Sequence, residues 1–245
     1  MKYNYLGTSV YYKIVGKGQP IVFLHGWQSS LGSFSVLEEQ LKNSYKLIFI
    51  DFPPFGKSSN LNFAWDINTY SNMVVSLLQS LKIQNFYILA HSFGGRVAIN
   101  ICSCYNCNVK KLILTGSAGL KPRRSLIYYI KVKRYKKLKR KQSNKASINL
   151  NNYGSQDYKA LSSLMKQTFV KVVNFDQKNQ AKKIKIPTLI IYGEKDKETP
   201  ISMARKFNKY IKNSRLEIIK NSAHFCFLEK PEIFYDKVIH FLKNN

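Results

Sequence analysis

The chain has 245 residues, of which 44% are hydrophobic, and its formal net charge is +27. This length is sufficient for one substantial core with a small insertion, and the hydrophobic content excludes an intrinsically disordered protein. No apolar run approaches the ~18 residues of a membrane-spanning helix, and residues 1–13 contain no apolar stretch of the signal-peptide kind, so we expect a cytoplasmic protein.

Strands and helices alternate along most of the chain. Residues 3–5 and 10–14 predict an antiparallel hairpin at a sheet edge. The further predicted strands are 20–24, 45–50, 86–90, 109–115, 187–192 and 216–219, and the predicted helices are 33–41, 69–81, 96–101 and beyond, 203–211 and 231–242. This alternation predicts an α/β fold with a mostly parallel central sheet and helices on both faces.

The alternation stops between residues 118 and 185, where the sequence is basic and helical in pattern. Because the strands resume afterwards, we interpret 118–185 as a helical cap inserted into a core made of 1–117 and 186–245. Such an insertion should cover the carboxyl ends of the strands, where open α/β sheets bind ligands.

Ser92 lies where the strand ending at Ala90 meets the following helix, with almost no room for a loop. So sharp a turn predicts a strained backbone at Ser92 and a projecting side chain. It also requires small residues two positions away on each side, and Ala90 and Gly94 meet that requirement. An ordinary serine at a strand-to-helix turn is the alternative, so the interpretation as a nucleophile depends on finding its partners.

A serine nucleophile needs a base within hydrogen-bond reach, and the base needs a group that orients it. Of the four histidines, His91 adjoins Ser92 and should point away from it, His25 belongs to a turn after another strand, and His240 lies on the exposed side of the last helix. His224 follows the last strand directly and is the predicted base.

The orienting carboxylate should also follow a strand. The loop after residue 192 offers three acids, of which Asp196 is preferred because the short loop directs it toward the neighbouring strand end. Glu194 and Glu198 are the alternatives.

Two backbone amides are expected to receive the negative charge that develops on the substrate oxygen. One is the N–H of Phe93 at the start of a helix, where the helix dipole also favours negative charge. The other is the N–H of Trp27 after His25 and Gly26, with Gln28 as the less favoured alternative.

Five motifs together resemble those of α/β-hydrolase-fold serine hydrolases of the cap-bearing carboxylesterase type. They are HGW at 25–27, DFPPFGKS at 51–58, AHSFGG at 90–95, GEKDKETP at 193–200 and AHFCFLEKPEIF at 223–234. The order Ser92, Asp196, His224 is also that of the family. The departures are Ala90, Pro54 and Ala223, each at a position where the family commonly has glycine.

The resemblance implies an α/β-hydrolase fold and a hydrolase that cleaves carboxylic ester or related acyl bonds through an acyl-enzyme. It implies neither a cofactor nor a metal, and it gives Asp51 a structural role in bracing the loop after its strand. Relatives that use an aspartate nucleophile are disfavoured because position 92 is serine. A C–C bond hydrolase or an acyltransferase of the same fold is the alternative among enzymes.

The basic insert indicates which binding partners the protein could have. Residues 122–145 predict a helix with Tyr128 and Val132 on its apolar face, which is typical of a lid and also of a surface that contacts anionic membranes. A basic protein that binds anionic surfaces is therefore the alternative outside enzymes; nucleic acid is not expected, because no recognition motif is present.

The spacing of the cysteines is not that of a zinc site, and we expect reduced thiols. The substrate is expected to be a small ester, either apolar or anionic.

Overall fold

A computed structural model describes residues 1–121, 130, 132–134, 158 and 160–244. Its centre is an eight-stranded sheet in the order β1-β2-β4-β3-β5-β6-β7-β8. The strands are β1 Lys2–Tyr5, β2 Thr8–Val15, β3 Gln19–Leu24, β4 Tyr45–Ile50, β5 Phe86–His91, β6 Val109–Thr115, β7 Thr188–Gly193 and β8 Ser214–Ile219. Strands β3 to β8 pair in parallel, whereas β1 and β2 form the predicted antiparallel edge.

Helices cover both faces of the sheet. In the described ranges they are α1 Ser35–Leu41, α2 Ile67–Ser80, α3 Phe93–Cys104, α4 Ser163–Asn174, α5 Lys178–Lys183, α6 Ile201–Tyr210, α7 Cys226–Glu229 and α8 Pro231–Lys243. One apolar cluster joins α1, α7 and α8 to one face of the sheet, and a larger one joins α2 to α6 to the other face. The predicted α/β fold class is confirmed.

Alternation along β3 shows how one strand serves both layers. Ile21 and Phe23 belong to the cluster beneath α1 and α8, whereas Val22 and Leu24 belong to the cluster beneath α2 and α3. Successive side chains of a strand point to opposite faces. A strand that is covered on both faces therefore has apolar residues at successive positions, and this continuous run is the pattern from which β3 was predicted.

Helix boundaries differ from the predictions where local hydrogen bonds decide them. The carboxylate of Asp66 accepts from the amide of Thr69 at 2.8 Å, so α2 begins at Ile67, two residues earlier than predicted. A 3₁₀ turn, Leu31–Phe34, precedes α1 where the prediction had one continuous helix. The short helix α7 was not predicted.

Between β6 and β7, the described residues of 118–185 contain helices α4 and α5 and no strand. The helix predicted over 122–145 lies outside the described residues, except for Ile130 and residues 132–134, which are helical. No helix in the described part of the chain is both long and apolar enough to cross a membrane.

We expect Gly94→Ala to destabilise the fold, because a Cβ at this position would lie 2.1 Å from the carbonyl oxygen of Leu24 in β3. Forcing an atom into so close a contact typically costs about 1–3 kcal/mol. For a domain of this size that corresponds to a fall in Tm of roughly 2–4 °C per kcal/mol, measurable by calorimetry. Gly32→Ala is the matched control, since its Cβ would lie 3.4 Å from the nearest atom, Ser30 Oγ. Equal melting temperatures for the two variants would contradict the expectation.

Candidate active site

Strand β5 passes into helix α3 through one residue, Ser92, which has φ 50° and ψ −110°. A positive φ is unfavourable for a residue with a side chain. Backbone hydrogen bonds hold the turn: the Ser92 amide donates to the Thr115 carbonyl at 3.1 Å, and the Ser92 carbonyl accepts from the amides of Gly95 and Ala118 at 3.0 and 3.1 Å. The strained turn predicted at Ser92 is therefore present, and Ser92 lines a cavity.

Asp196 and His224 lie in the loops after β7 and β8 and are bonded to each other. Oδ2 of Asp196 is 2.8 Å from Nδ1 of His224, and both residues are buried. Oδ1 of Asp196 accepts from the amides of Glu198 and Thr199 at 2.9 Å each, and Oδ2 accepts from Thr199 Oγ1 at 2.8 Å. Burial acts to raise the pKa of Asp196, but the hydrogen bonds from His224 and Thr199 outweigh it and lower that pKa. The carboxylate of Asp196 is therefore ionised and held in place beside Nδ1 of His224.

The three acids of this loop have different contacts. Asp196 is bonded to Nδ1 of His224, whereas Oε2 of Glu198 lies 3.3 Å from the other ring nitrogen, Nε2. Glu194 lies apart from the ring, and its Oε2 accepts from the amide of Asn221 at 3.1 Å. The side chain of Glu198 is 68% exposed, so its contact with His224 is at the solvent side of the site.

Most of the predicted site residues line one cavity of about 440 Å³. Its wall includes Ser92, His224, Glu198, Trp27, Phe169 and Val172. Ser92 and His224 thus open into the same space, with Nε2 of His224 next to Glu198, and Phe169 and Val172 of helix α4 supply an apolar side.

The two residues whose amides are the predicted donors, Trp27 and Phe93, both line the cavity that contains Ser92. Phe93 is the first residue of α3, where an amide has no acceptor within its own helix. Trp27 lines the same cavity, and its ring packs edge-on against Phe93 and Phe55 with centroids 5.4 and 5.0 Å away. Within the described ranges neither amide has a hydrogen-bond partner. The alternative, Gln28, also lines the cavity and has φ 54°.

His91 lies closer to the site than the sequence indicated. Its ring centroid is 4.6 Å from that of His224, and its Nε2 is 3.1 Å from the carbonyl oxygen of His224. Because a carbonyl only accepts, Nε2 of His91 carries the proton. Burial, with a smaller contribution from His224, lowers the pKa of His91 to about 3, so this ring is neutral and supports the loop that carries His224.

His25 and Asp51 brace the neighbouring loops. Nδ1 of His25 donates to the Gly26 carbonyl at 2.7 Å and Nε2 accepts from the Phe52 amide at 2.8 Å. Burial lowers the pKa of His25 to about 4. Asp51 accepts from the amides of Leu31 and Lys57 at 2.7 and 2.8 Å, which is the bracing role expected of it.

Arg96 is a residue of the site that the sequence analysis missed. It lies four positions after Ser92, on the same side of α3, and it lines the cavity. The i, i+4 spacing was available as a signal, but a single arginine inside an apolar helix does not reveal what it faces.

Metal-binding geometry is absent from the described residues: no group of three or more His, Cys, Asp or Glu side chains could hold an ion there. The four cysteines are unpaired, and only Cys226 is buried. Its Sγ lies 3.4 Å from Thr115 Oγ1.

Comparison with known proteins places the chain among hydrolases. Residues 18–231 match the family described as serine aminopeptidase, S33 (Hydrolase_4). The AB hydrolase superfamily protein YisY of Bacillus subtilis is 27% identical over 92% of both chains. A 2-hydroxy-6-oxo-6-(2'-aminophenyl)hexa-2,4-dienoic acid hydrolase of Metapseudomonas resinovorans is 26% identical over 96% of this chain and 88% of its own. An esterase from Exiguobacterium antarcticum superposes with a TM-score of 0.77, at 28% identity over 97% of both chains.

We expect stability to fall as the pH drops below about 6.5, because His25 and His91 stay neutral in the folded protein. Their unfolded pKa is about 6.5, against about 4 and about 3 when folded. Between these values only the unfolded chain takes up the protons, so each group makes unfolding easier by about 1.4 kcal/mol per pH unit as the pH falls. Above pH 6.5 their contribution is complete.

Urea unfolding at pH 5, 6 and 7.5 measures this dependence. His91→Gln should lower the slope between pH 5 and 6 by about 1.4 kcal/mol per pH unit, whereas the control His240→Gln, at an exposed position, should leave it unchanged. Identical slopes for the wild type and His91→Gln would show that His91 is not held neutral.

Proposed function

Because the chain belongs to the serine aminopeptidase S33 family of α/β hydrolases, we propose that it is a serine hydrolase that cleaves carboxylic ester or related acyl bonds through an acyl-enzyme. One observation carries the proposal. Ser92, at a positive φ, and His224, whose Nδ1 is bonded to Asp196, open into the same cavity.

In the proposed reaction the hydroxyl of Ser92 attacks the carbonyl carbon while Nε2 of His224 takes its proton. His224 returns that proton to the leaving alcohol, and water then releases the acid from Ser92 by the same steps in reverse order. Asp196 keeps the proton of the imidazole on Nδ1 and stabilises the imidazolium that forms. Because Asp196 is already fixed by amide and hydroxyl donors, no rearrangement of this carboxylate is required.

The amides of Phe93 and Trp27 are the proposed donors to the oxyanion. Their lack of partners within the described residues supports this role, since such donors must be free to bond the substrate oxygen. The start of α3 adds the favourable end of a helix dipole.

Glu198 must leave Nε2 of His224 before the proton transfer. Its side chain is largely exposed and reaches the ring at 3.3 Å, whereas Asp196 is buried. We therefore assign the orienting role to Asp196 and regard Glu198 as a surface carboxylate that moves aside when substrate enters.

Residues 118–185 are proposed as the cap of this site, over a core of 1–117 and 186–245. Support comes from α4, whose Phe169 and Val172 line the cavity beside Ser92. The apolar side that they supply suits the hydrocarbon part of an ester.

Cleavage of a carbon–carbon bond is a second candidate. The likeness to the dienoic acid hydrolase of Metapseudomonas resinovorans favours it. Its chemistry would use the same serine and histidine, so it differs from the first candidate in the substrate and not in the proposed groups.

Hydrolysis of a short p-nitrophenyl ester tests the proposal with two matched carboxylate variants. Asp196→Asn should lower kcat by roughly 10⁴-fold, because the imidazole loses the group that selects its tautomer. Glu198→Gln should change kcat by less than about threefold, since an exposed carboxylate contributes little. Ser92→Ala sets the background and should show no turnover.

Activity that survives in Ser92→Ala would overturn the proposal. An equal loss in Asp196→Asn and Glu198→Gln would overturn the assignment of the orienting role to Asp196. Circular dichroism of each variant excludes unfolding as the cause of a loss.

A further inference from the structure

A second cavity, of about 530 Å³, adjoins the one that contains Ser92. The residues common to the two walls are Arg96, Ala118, Val173, Glu198 and Thr199. Arg96 therefore lies at the boundary between the space beside Ser92 and a further space that the proposed chemistry does not use.

Arg96 is held in place by reciprocal bonds with the segment before α5. Its Nη1 donates to the carbonyl of Phe175 at 2.9 Å, and Nε2 of the buried Gln177 donates to the carbonyl of Arg96 at 2.7 Å. A guanidinium has five N–H donors, and the structure gives a partner to one of them within the described residues. None of its nitrogens is among the fully buried polar atoms that lack a partner, so the nitrogens that have no partner keep some exposure.

The charge of Arg96 has no carboxylate in direct contact with it among the described residues, although Asp176 acts on it from a greater distance. The residue is 8% exposed, yet no carboxylate of a described residue lies within 4 Å of it. Burial lowers the pKa of Arg96 to about 10, against the opposing effect of Asp176, so the group still carries its charge at neutral pH. A buried cation without a counter-ion is unfavourable, and an anion that entered the cavity would relieve it.

The second cavity adds positive charge. Lys121 and Lys206 line it, and among its described wall residues Glu198 is the one acid. Ser202 and Thr199 contribute hydroxyl groups to the same wall. The wall of the space beyond Arg96 is thus net positive, although much of its surface is apolar and includes Leu120 and Met203.

We propose that Arg96 binds a carboxylate carried by the substrate, so that the enzyme hydrolyses esters of dicarboxylic acids in preference to neutral esters. This inference rests on the proposed function of Ser92. A planar guanidinium matches a carboxylate with two parallel hydrogen bonds. A monoanion balances the single charge of Arg96, and Glu198, which lines the same walls, repels it less than it would repel a phosphate dianion.

The spacing along α3 fits a short acyl chain. Ser92 and Arg96 are four residues apart, which corresponds to a rise of about 6 Å along the helix. Because both residues line one cavity, a carboxylate three or four carbon atoms from the scissile carbonyl is the length that we test first.

Hydrolysis of monomethyl glutarate and of methyl 4-carbamoylbutanoate, followed by NMR, tests the proposal. The two substrates have the same shape and differ in that one ends in a carboxylate and the other in a neutral amide. The wild type should show a kcat/KM for the carboxylate at least about tenfold higher, which is the effect of a charge-assisted hydrogen bond. A second pair, acetoxyacetate and acetoxyacetamide, carries the charge on the alcohol side and reports which part of the substrate Arg96 contacts.

Three variants test which residue causes the preference for the carboxylate substrate. Arg96→Gln should lower the ratio of the two kcat/KM values toward one. Lys206→Gln, at an exposed position of the second cavity, should lower it by a smaller factor. Lys212→Gln removes an equal charge just before β8, at the end of the parallel strands opposite to the site, and should leave the ratio unchanged.

A wild-type ratio near one for the glutarate pair, or a ratio that Arg96→Gln leaves unchanged, would overturn this inference. If Arg96→Gln does not fold, the wild-type ratio and Lys206→Gln still decide it. A wild type that hydrolyses the p-nitrophenyl ester without discriminating between acid and amide contradicts the role of Arg96 alone. A wild type that hydrolyses none of these esters contradicts the proposed function itself.

Discussion

The structure depends on one backbone constraint, the turn from strand to helix through Ser92. Its positive φ is worth roughly 1–3 kcal/mol of strain. Three backbone hydrogen bonds to β6, α3 and the segment after β6 oppose that strain, and the close approach of Gly94 to β3 leaves no room for the turn to relax. Because apolar clusters on both faces of the sheet anchor β5 and α3, the strain is confined to the residue whose side chain projects into the cavity.

Burial and hydrogen bonding determine the charge state of the titratable groups around the side chain of Ser92. His25 and His91 are neutral because burial outweighs the opposing effects of Asp51 and Asp196, whereas Asp196 is ionised because hydrogen bonds from His224 and Thr199 outweigh its own burial. His224 lies between these environments, with the ionised Asp196 on Nδ1 and the exposed carboxylate of Glu198, at the edge of the cavity, 3.3 Å from Nε2. Arg96 is a further buried charge, and it lies at the boundary between the cavity that contains Ser92 and the one beyond it.

The fold was predictable because most of the parallel strands contain an apolar run bounded by polar loops, and two of them, 45–50 and 109–115, coincide with the observed limits. The loops after β7 and β8 were predictable as the positions of Asp196 and His224 for the same reason. Contacts between loops at the end of the sheet were not predictable. The packing of His91 on His224 and the approach of Glu198 to Nε2 of His224 depend on how the loops fold in space, which the hydrophobic periodicity of the sequence does not encode. Arg96 was missed because its neighbours, Phe175 and Gln177, come from a distant part of the chain.

The central claim is that His224 makes the hydroxyl of Ser92 reactive. Labelling with a fluorophosphonate, followed by mass spectrometry of the peptides, tests it without assuming a substrate. The wild type should carry the label on Ser92, and His224→Ala should react more slowly by at least about a hundredfold, the contribution of a general base. A folded wild type that takes up no label, or carries it on another serine, would contradict the claim.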